Sequence, residues 1–161
     1  MVNAALAFAR FLSLFNEGRF RPGMLQKVAS DKYNRRFRSE GTNAWTCSDP
    51  SVRQDFADNP SCNFDFTANG ILALISLMKE SDSPQGWHVS NPDMPVCFIS
   101  GEDDPCMKGE ESLHRSAQLM ADIGYNNVTS AIYPSMRHEV LNEVGKEIVW
   151  ADILDHVKLW S

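Results

Sequence analysis

Residues 94–106, MPVCFISGEDDPC, and residues 127–143, NVTSAIYPSMRHEVLNE, decide how this chain folds. In the first, Val96-Cys97-Phe98-Ile99 is a short apolar run, the pattern of a strand covered on both faces. In the second, Val128–Tyr133 reads as another strand. Between them, residues 110–123 set Leu113, Ala117 and Met120 on one side of a helix that stops at Gly124. Beyond them, residues 145–160 set Val149, Ile153, Val157 and Trp160 on one face of a final helix. Strand, helix, strand, helix in that order predicts the α/β class, with parallel strands joined by a right-handed crossover.

Open α/β sheets carry their sites at the carboxyl ends of the strands. Two loops fall there, Ser100-Gly101-Glu102-Asp103-Asp104-Pro105 and Tyr133-Pro134-Ser135-Met136-Arg137-His138-Glu139. Neighbouring strands lie about 5 Å apart, so a carboxylate on one loop and a histidine on the next can meet above the sheet. A carboxylate that holds an imidazole fixes its tautomer and stabilises the imidazolium formed when the ring takes a nucleophile's proton. Singly, each residue has a plainer reading. Asp-Asp-Pro after a strand is common turn chemistry, and a lone histidine is usually a surface or satisfied one. It is the two loops together that single out Asp104 and His138.

Upstream of residue 90 the texture is different. Leu6, Phe8, Phe11, Leu12 and Phe15 recur at roughly helical spacing and predict the buried side of an amphipathic helix. Arg10 interrupts the apolar run well short of the roughly 18 residues a membrane span requires. Residues 17–65 are irregular, with RPG at 21–23, a basic stretch from Lys32 to Arg38, and breaks at Asp49-Pro50 and Asn59-Pro60. Asp49-Pro50 also has the form of a helix start, a capping carboxylate followed by proline at the first helical position. A further helix is expected over 68–80 on the stripe Ile71, Leu72, Ile75 and Met78. Short helices and loops without strands suit a lid or an insertion.

Composition narrows the function classes. The 161 residues are 43% hydrophobic and 22% charged, which excludes disorder, collagen and coiled coil. With 21 acidic against 15 basic residues the net charge is -6, so no global field draws the chain to nucleic acid or anionic lipid. Cys47, Cys62, Cys97 and Cys106 form no C-x-x-C pair and suggest neither a zinc site nor a disulfide framework, which points to a reducing cytoplasm. A metal set of His138, Glu139 and Glu143 lacks the H-E-x-x-H spacing, and neither metal nor cofactor is expected. His114 beside Glu110, and His156 four residues after Asp152, have the spacing of surface helix pairs. Trp45, Phe56, Phe64, Phe66 and Trp87 could line an acyl pocket or belong to a core.

The two quoted segments resemble the C-terminal half of the α/β-hydrolase fold, close to its bacterial lysophospholipase and monoacylglycerol-lipase-like branch, often labelled serine aminopeptidase-like. The resemblance covers residues 90–161 strongly; residues 1–89, with AWTCSDPSVRQDFADNP, are more loosely similar to the helical cap that the family inserts before its last two strands. It implies that Asp104, three residues after the turn Gly101, is the triad acid and that His138 is the triad base. It also implies a partial α/β-hydrolase fold, cap (1–89) then β-α-β-α (90–161), acting on acyl esters or lipid-like substrates.

One departure from that family is plain. The nucleophilic serine belongs in G-x-S-x-G on a strand-to-helix turn, and no G-x-S-x-G occurs in this sequence. The expectation is therefore a serine hydrolase of carboxylic esters of which this chain carries acid and base, with the nucleophile in a missing N-terminal half and the isolated chain inactive. The alternative is a non-catalytic truncated remnant that serves as a folded association module. Two strands alone leave an open sheet edge and uncovered apolar surface, so a homo-oligomer is also expected.

Overall fold

The computed structural model describes residues 2–81 and 83–160. It forms two compact units, one of residues 1–32 and 59–87 and the other of residues 33–58 and 88–161. The irregular middle of the chain is thus divided, and 33–58 folds with the strands.

In the first unit, helix α1 (Val2–Ser13) packs along helix α4 (Ala68–Ser81), with helix α2 (Gly23–Tyr33) between them in sequence. Phe20 C=O accepts from the Ala68 amide at 2.7 Å, and Asn69 Nδ2 donates to Glu17 C=O at 3.1 Å, so the start of α4 is tied to the turn that follows α1. The buried residues of α1 are Leu6 and Ala9, whereas Phe8, Phe11 and Phe15 stay about half exposed. This corrects the expected stripe. One partner helix covers only a narrow strip, and a row as wide as Leu6 to Phe15 exceeds it. Of the α4 stripe, Ile71, Leu72 and Ile75 are half-buried and Met78 is exposed.

The second unit holds helix α3 (Pro50–Asp58), strand β1 (Val96–Gly101), helix α5 (Glu110–Asp122), strand β2 (Val128–Tyr133) and helix α6 (Lys146–Trp160). Helix α3 starts where Asp49-Pro50 predicts, with Asp49 Oδ1 accepting from the Ser51 amide at 2.8 Å and the Ser51 hydroxyl at 2.7 Å. The strands pair in parallel, from Val96 beside Val128 to Gly101 beside Tyr133. Val96–Ile99 is half-buried rather than covered on both faces, because β2 is the one strand among the described residues that pairs with it. Tyr133, Met136, Val140 and Val149 form the core, joined by Ile99, Ala131 and Ile153. Val149 is the pivot of α6, fully buried, while Val157 is about half exposed; the Trp160 side chain lies outside the described residues.

That difference along one helix gives a test. Val149→Ala removes two methyl groups from a site with no exposure and should cost about 2 to 3 kcal/mol in urea unfolding. Val157→Ala should stay within about 0.5 kcal/mol of the parent chain.

Candidate active site

The register ends both strands level, so the loops after Gly101 and Tyr133 leave the sheet side by side. They are also bonded to each other. The Glu102 amide donates to Tyr133 C=O at 2.9 Å, and the Asp103 amide donates to Met136 C=O at 2.9 Å. Gly101 makes the approach possible, since a Cβ there would lie 2.2 Å from Met136 C=O and 2.3 Å from Arg137 C=O. No side chain fits in that space.

Across this junction His138 Nδ1 lies 3.0 Å from Asp104 Oδ2. Asp104 is nearly buried, with its side chain 9% exposed, while the imidazole is 42% exposed. The other carboxylate oxygen of Asp104 accepts the Cys106 amide at 2.8 Å, which fixes the rotation of the group. Asp103 points elsewhere and pairs with Arg36 at 2.6 Å, so of the two adjacent acids it is Asp104 that faces the ring. Trp45 packs on the imidazole with ring centroids 5.0 Å apart, and Tyr33 packs on Trp45 at 5.2 Å. Of the five aromatics named from the sequence, Trp45 has a ring contact with His138; Phe64 and Phe66 instead stack on each other in the first unit.

The loop that bears His138 is held from both sides. Arg137 is 8% exposed; its guanidinium lies 3.9 Å over the Phe37 ring, donates to Ala44 C=O at 2.6 Å, and makes a two-pronged pair with Glu40 at 2.8 and 2.9 Å. That guanidinium holds the Glu40 carboxyl below its ordinary range. Glu143, only 2% exposed, accepts the amides of Arg137 at 2.9 Å and of Ser48 at 2.9 Å, together with the Ser48 hydroxyl. The Glu139 amide adds a bond to Thr46 C=O at 2.8 Å. Segment 40–48 is thereby fastened to the histidine loop. Sequence reasoning placed Arg137 in the loop but missed this role and that of Glu143, because their partners lie about 95 residues away in the chain.

The charges of the pair support one another. Burial raises the Asp104 carboxyl, but the hydrogen bonds from His138 and Cys106 outweigh it and hold the group below its ordinary range. His138 is pushed up from 6.5 to about 10, first by its hydrogen bond to Asp104 and next by Cys106, against the lowering effect of burial. Cys47, by contrast, is a buried thiol raised to about 11 by desolvation, with its sulfur 3.5 Å from Asn142 C=O. It is structural.

The other sequence candidates lie apart from this pair. His114 sits 3.3 Å from Glu110 as its spacing predicts. His156 meets the backbone C=O of Asp152 at 2.9 Å rather than its carboxylate, which accepts the Tyr133 hydroxyl at 3.0 Å. The set His138, Glu139 and Glu143 is not assembled, since both Glu143 oxygens are taken by backbone amides and Glu139 accepts from Asn142 at 2.9 Å.

A folded-state pKa above the unfolded value means that protonation of His138 stabilises the fold. That contribution is complete below about pH 6.5 and is lost as pH rises through about 10. In an NMR titration the His138 ring should remain imidazolium well above pH 7, and Asp104→Asn should bring its midpoint down toward 6.5. A midpoint unmoved by Asp104→Asn would show that the carboxylate does not hold the ring.

The model of the family described as "Serine aminopeptidase, S33" matches residues 6–145. Among curated proteins no sequence matches. A thermostable carboxyl esterase from Bacillus coagulans, solved with glycerol, superposes with a TM-score of 0.82 at 21% identity, covering 98% of this chain and 52% of the esterase. A lipase in its open form gives 0.74 at 20% identity, covering 94% and 48%. A soluble variant of monoglyceride lipase from Saccharomyces cerevisiae, bound to a substrate analogue, gives 0.51 at 12% identity, covering 99% and 57%. The chain spans about half the length of these structures. With its paired parallel strands and the match over most of its length, the chain is a partial α/β-hydrolase fold and belongs to the serine aminopeptidase family of hydrolases.

Proposed function

We propose that this chain supplies the acid and the base of a serine hydrolase of carboxylic esters, of acyl-glycerol or lysophospholipid type. The observation that carries the reading is the Asp104–His138 contact of 3.0 Å at the carboxyl ends of paired parallel strands. With Nδ1 held by Asp104, the ring offers Nε2 to the proton of a serine hydroxyl as that oxygen attacks the acyl carbon, then returns it to the departing alcohol. The serine comes from polypeptide outside this sequence, which contains no G-x-S-x-G and spans half of its structural neighbours. Near neutral pH the raised His138 is imidazolium and holds no lone pair for that proton. Covering the exposed ring with the serine-bearing half removes water from it, and that lowers its pKa toward the working range.

The esterase and lipase neighbours support the ester class, and the first unit, with α1 and α4 exposing Phe8, Phe11, Leu74 and Leu77, has the apolar surface of an acyl-binding cap. The other edge of β1 is where the remaining strands would pair. In their absence a second copy covers that edge, and the isolated chain is a homo-oligomer in a reducing cytoplasm.

Four measurements test this. The isolated chain should hydrolyse p-nitrophenyl butyrate no faster than buffer and take up no fluorophosphonate label. Joined to a half that carries G-x-S-x-G, it should gain activity that Asp104→Asn lowers by about 10⁴-fold. Labelling of a serine within this chain, or activity indifferent to Asp104 and His138, would overturn the reading. Light scattering on a sizing column should give a mass of at least twice 18.1 kDa; a monomer would show that the β1 edge is not covered by a second copy.

A further inference from the structure

Asp104, Cys106 and His138 bring a carboxylate oxygen, a thiol sulfur and an imidazole nitrogen within 4.8 Å of one another. No metal-ligand spacing in the sequence announces this set; two residues come from one loop, the third from the loop 32 positions further on, and only the parallel register unites them. We propose that these three side chains bind a borderline-soft divalent cation, zinc being the natural case, and that its binding and base catalysis by His138 exclude each other.

The donor set selects the metal class. A thiolate, an imidazole and a single carboxylate suit zinc, whereas magnesium and calcium take oxygen ligands throughout. Ligand atoms on a tetrahedral zinc stand roughly 3.3 to 3.8 Å apart, given bonds of about 2.0 to 2.3 Å, so the three atoms are within about 1.5 Å of a closed arrangement. Three protein ligands leave the fourth position to water. The surroundings are already ordered for it. The Cys106 amide fixes one Asp104 oxygen at 2.8 Å, and Trp45 covers a side of the imidazole, which holds both ligands in orientation.

Protons balance simply. The thiol gives its proton to solvent, and the ligating ring nitrogen presents its lone pair, its own proton passing to solvent or remaining on the other nitrogen. A triad base needs both ring nitrogens, Nδ1 for Asp104 and Nε2 for the serine proton. Metal on either nitrogen ends that function. The site itself does not depend on the hydrolytic reading, because metal binding can be measured on this chain without any substrate.

Cobalt(II), a spectroscopic stand-in for zinc, should add to the reduced chain with a near-ultraviolet thiolate charge-transfer band that saturates at one equivalent and is displaced by zinc. Cys62→Ser, which alters an exposed thiol of the other unit, should leave the band unchanged. Cys106→Ser should abolish it and weaken zinc binding by about a hundredfold or more. Asp104→Asn should weaken zinc binding as well, and serves as the second variant if Cys106→Ser does not fold by circular dichroism. Absence of the band in the parent chain, or its survival in Cys106→Ser, would overturn the proposal.

Discussion

The Arg137 guanidinium, buried over Phe37 and clamped between Glu40 and the carbonyl of Ala44, is the interaction on which this half of the molecule depends. A buried charge of this kind is tolerable only when every donor finds an acceptor. Arg137 answers most of that demand, its two terminal nitrogens donating to carbonyls and a carboxylate from one distant segment. In doing so it ties the irregular stretch 37–48 to the loop beyond β2. Glu143 does the same with the opposite charge, gathering the amides of Ser48 and Arg137. Between these two ionic groups, the backbone of His138 has little freedom left.

Such an arrangement explains why the residue that meets Asp104 is itself half exposed while its neighbour in sequence is not. The loop is anchored by Arg137 on one side of the histidine and by Glu139 on the other. The imidazole can then remain exposed while its backbone is held. The holding is done by Arg137 and Glu139, and the ring between them stays open to solvent.

Strands β1 and β2, helix α5 and the Asp49-Pro50 helix start were legible because each is a local pattern: an apolar run, a helical stripe, a cap. Asp104 and His138 were legible as a pair because strands consecutive in a parallel sheet are commonly neighbours, which brings their ends together. Burial along α1 was not, since spacing shows which residues share a face but not how much of that face a single partner covers. The clamp of Arg137 and Glu143 was not, because a contact over about 95 residues leaves no periodicity. Nor was the nearness of Cys106 to His138, since the turn at Pro105 sets the direction of the thiol.

The contact at Gly101 has a bearing on loop length. The Asp104 loop and the His138 loop rest on one another through the Asp103 amide and Met136 C=O, at a place with no room for a Cβ. They behave as one short extension of the sheet. An insertion between Gly101 and Asp104, or between Tyr133 and His138, shifts Asp104 against His138 even where the strands are untouched. Beyond Cys106, and before α5 begins at Glu110, added residues meet no such constraint. Variation in length among relatives of this chain should therefore gather after Asp104, and the few positions between each strand end and Asp104 or His138 should keep their number.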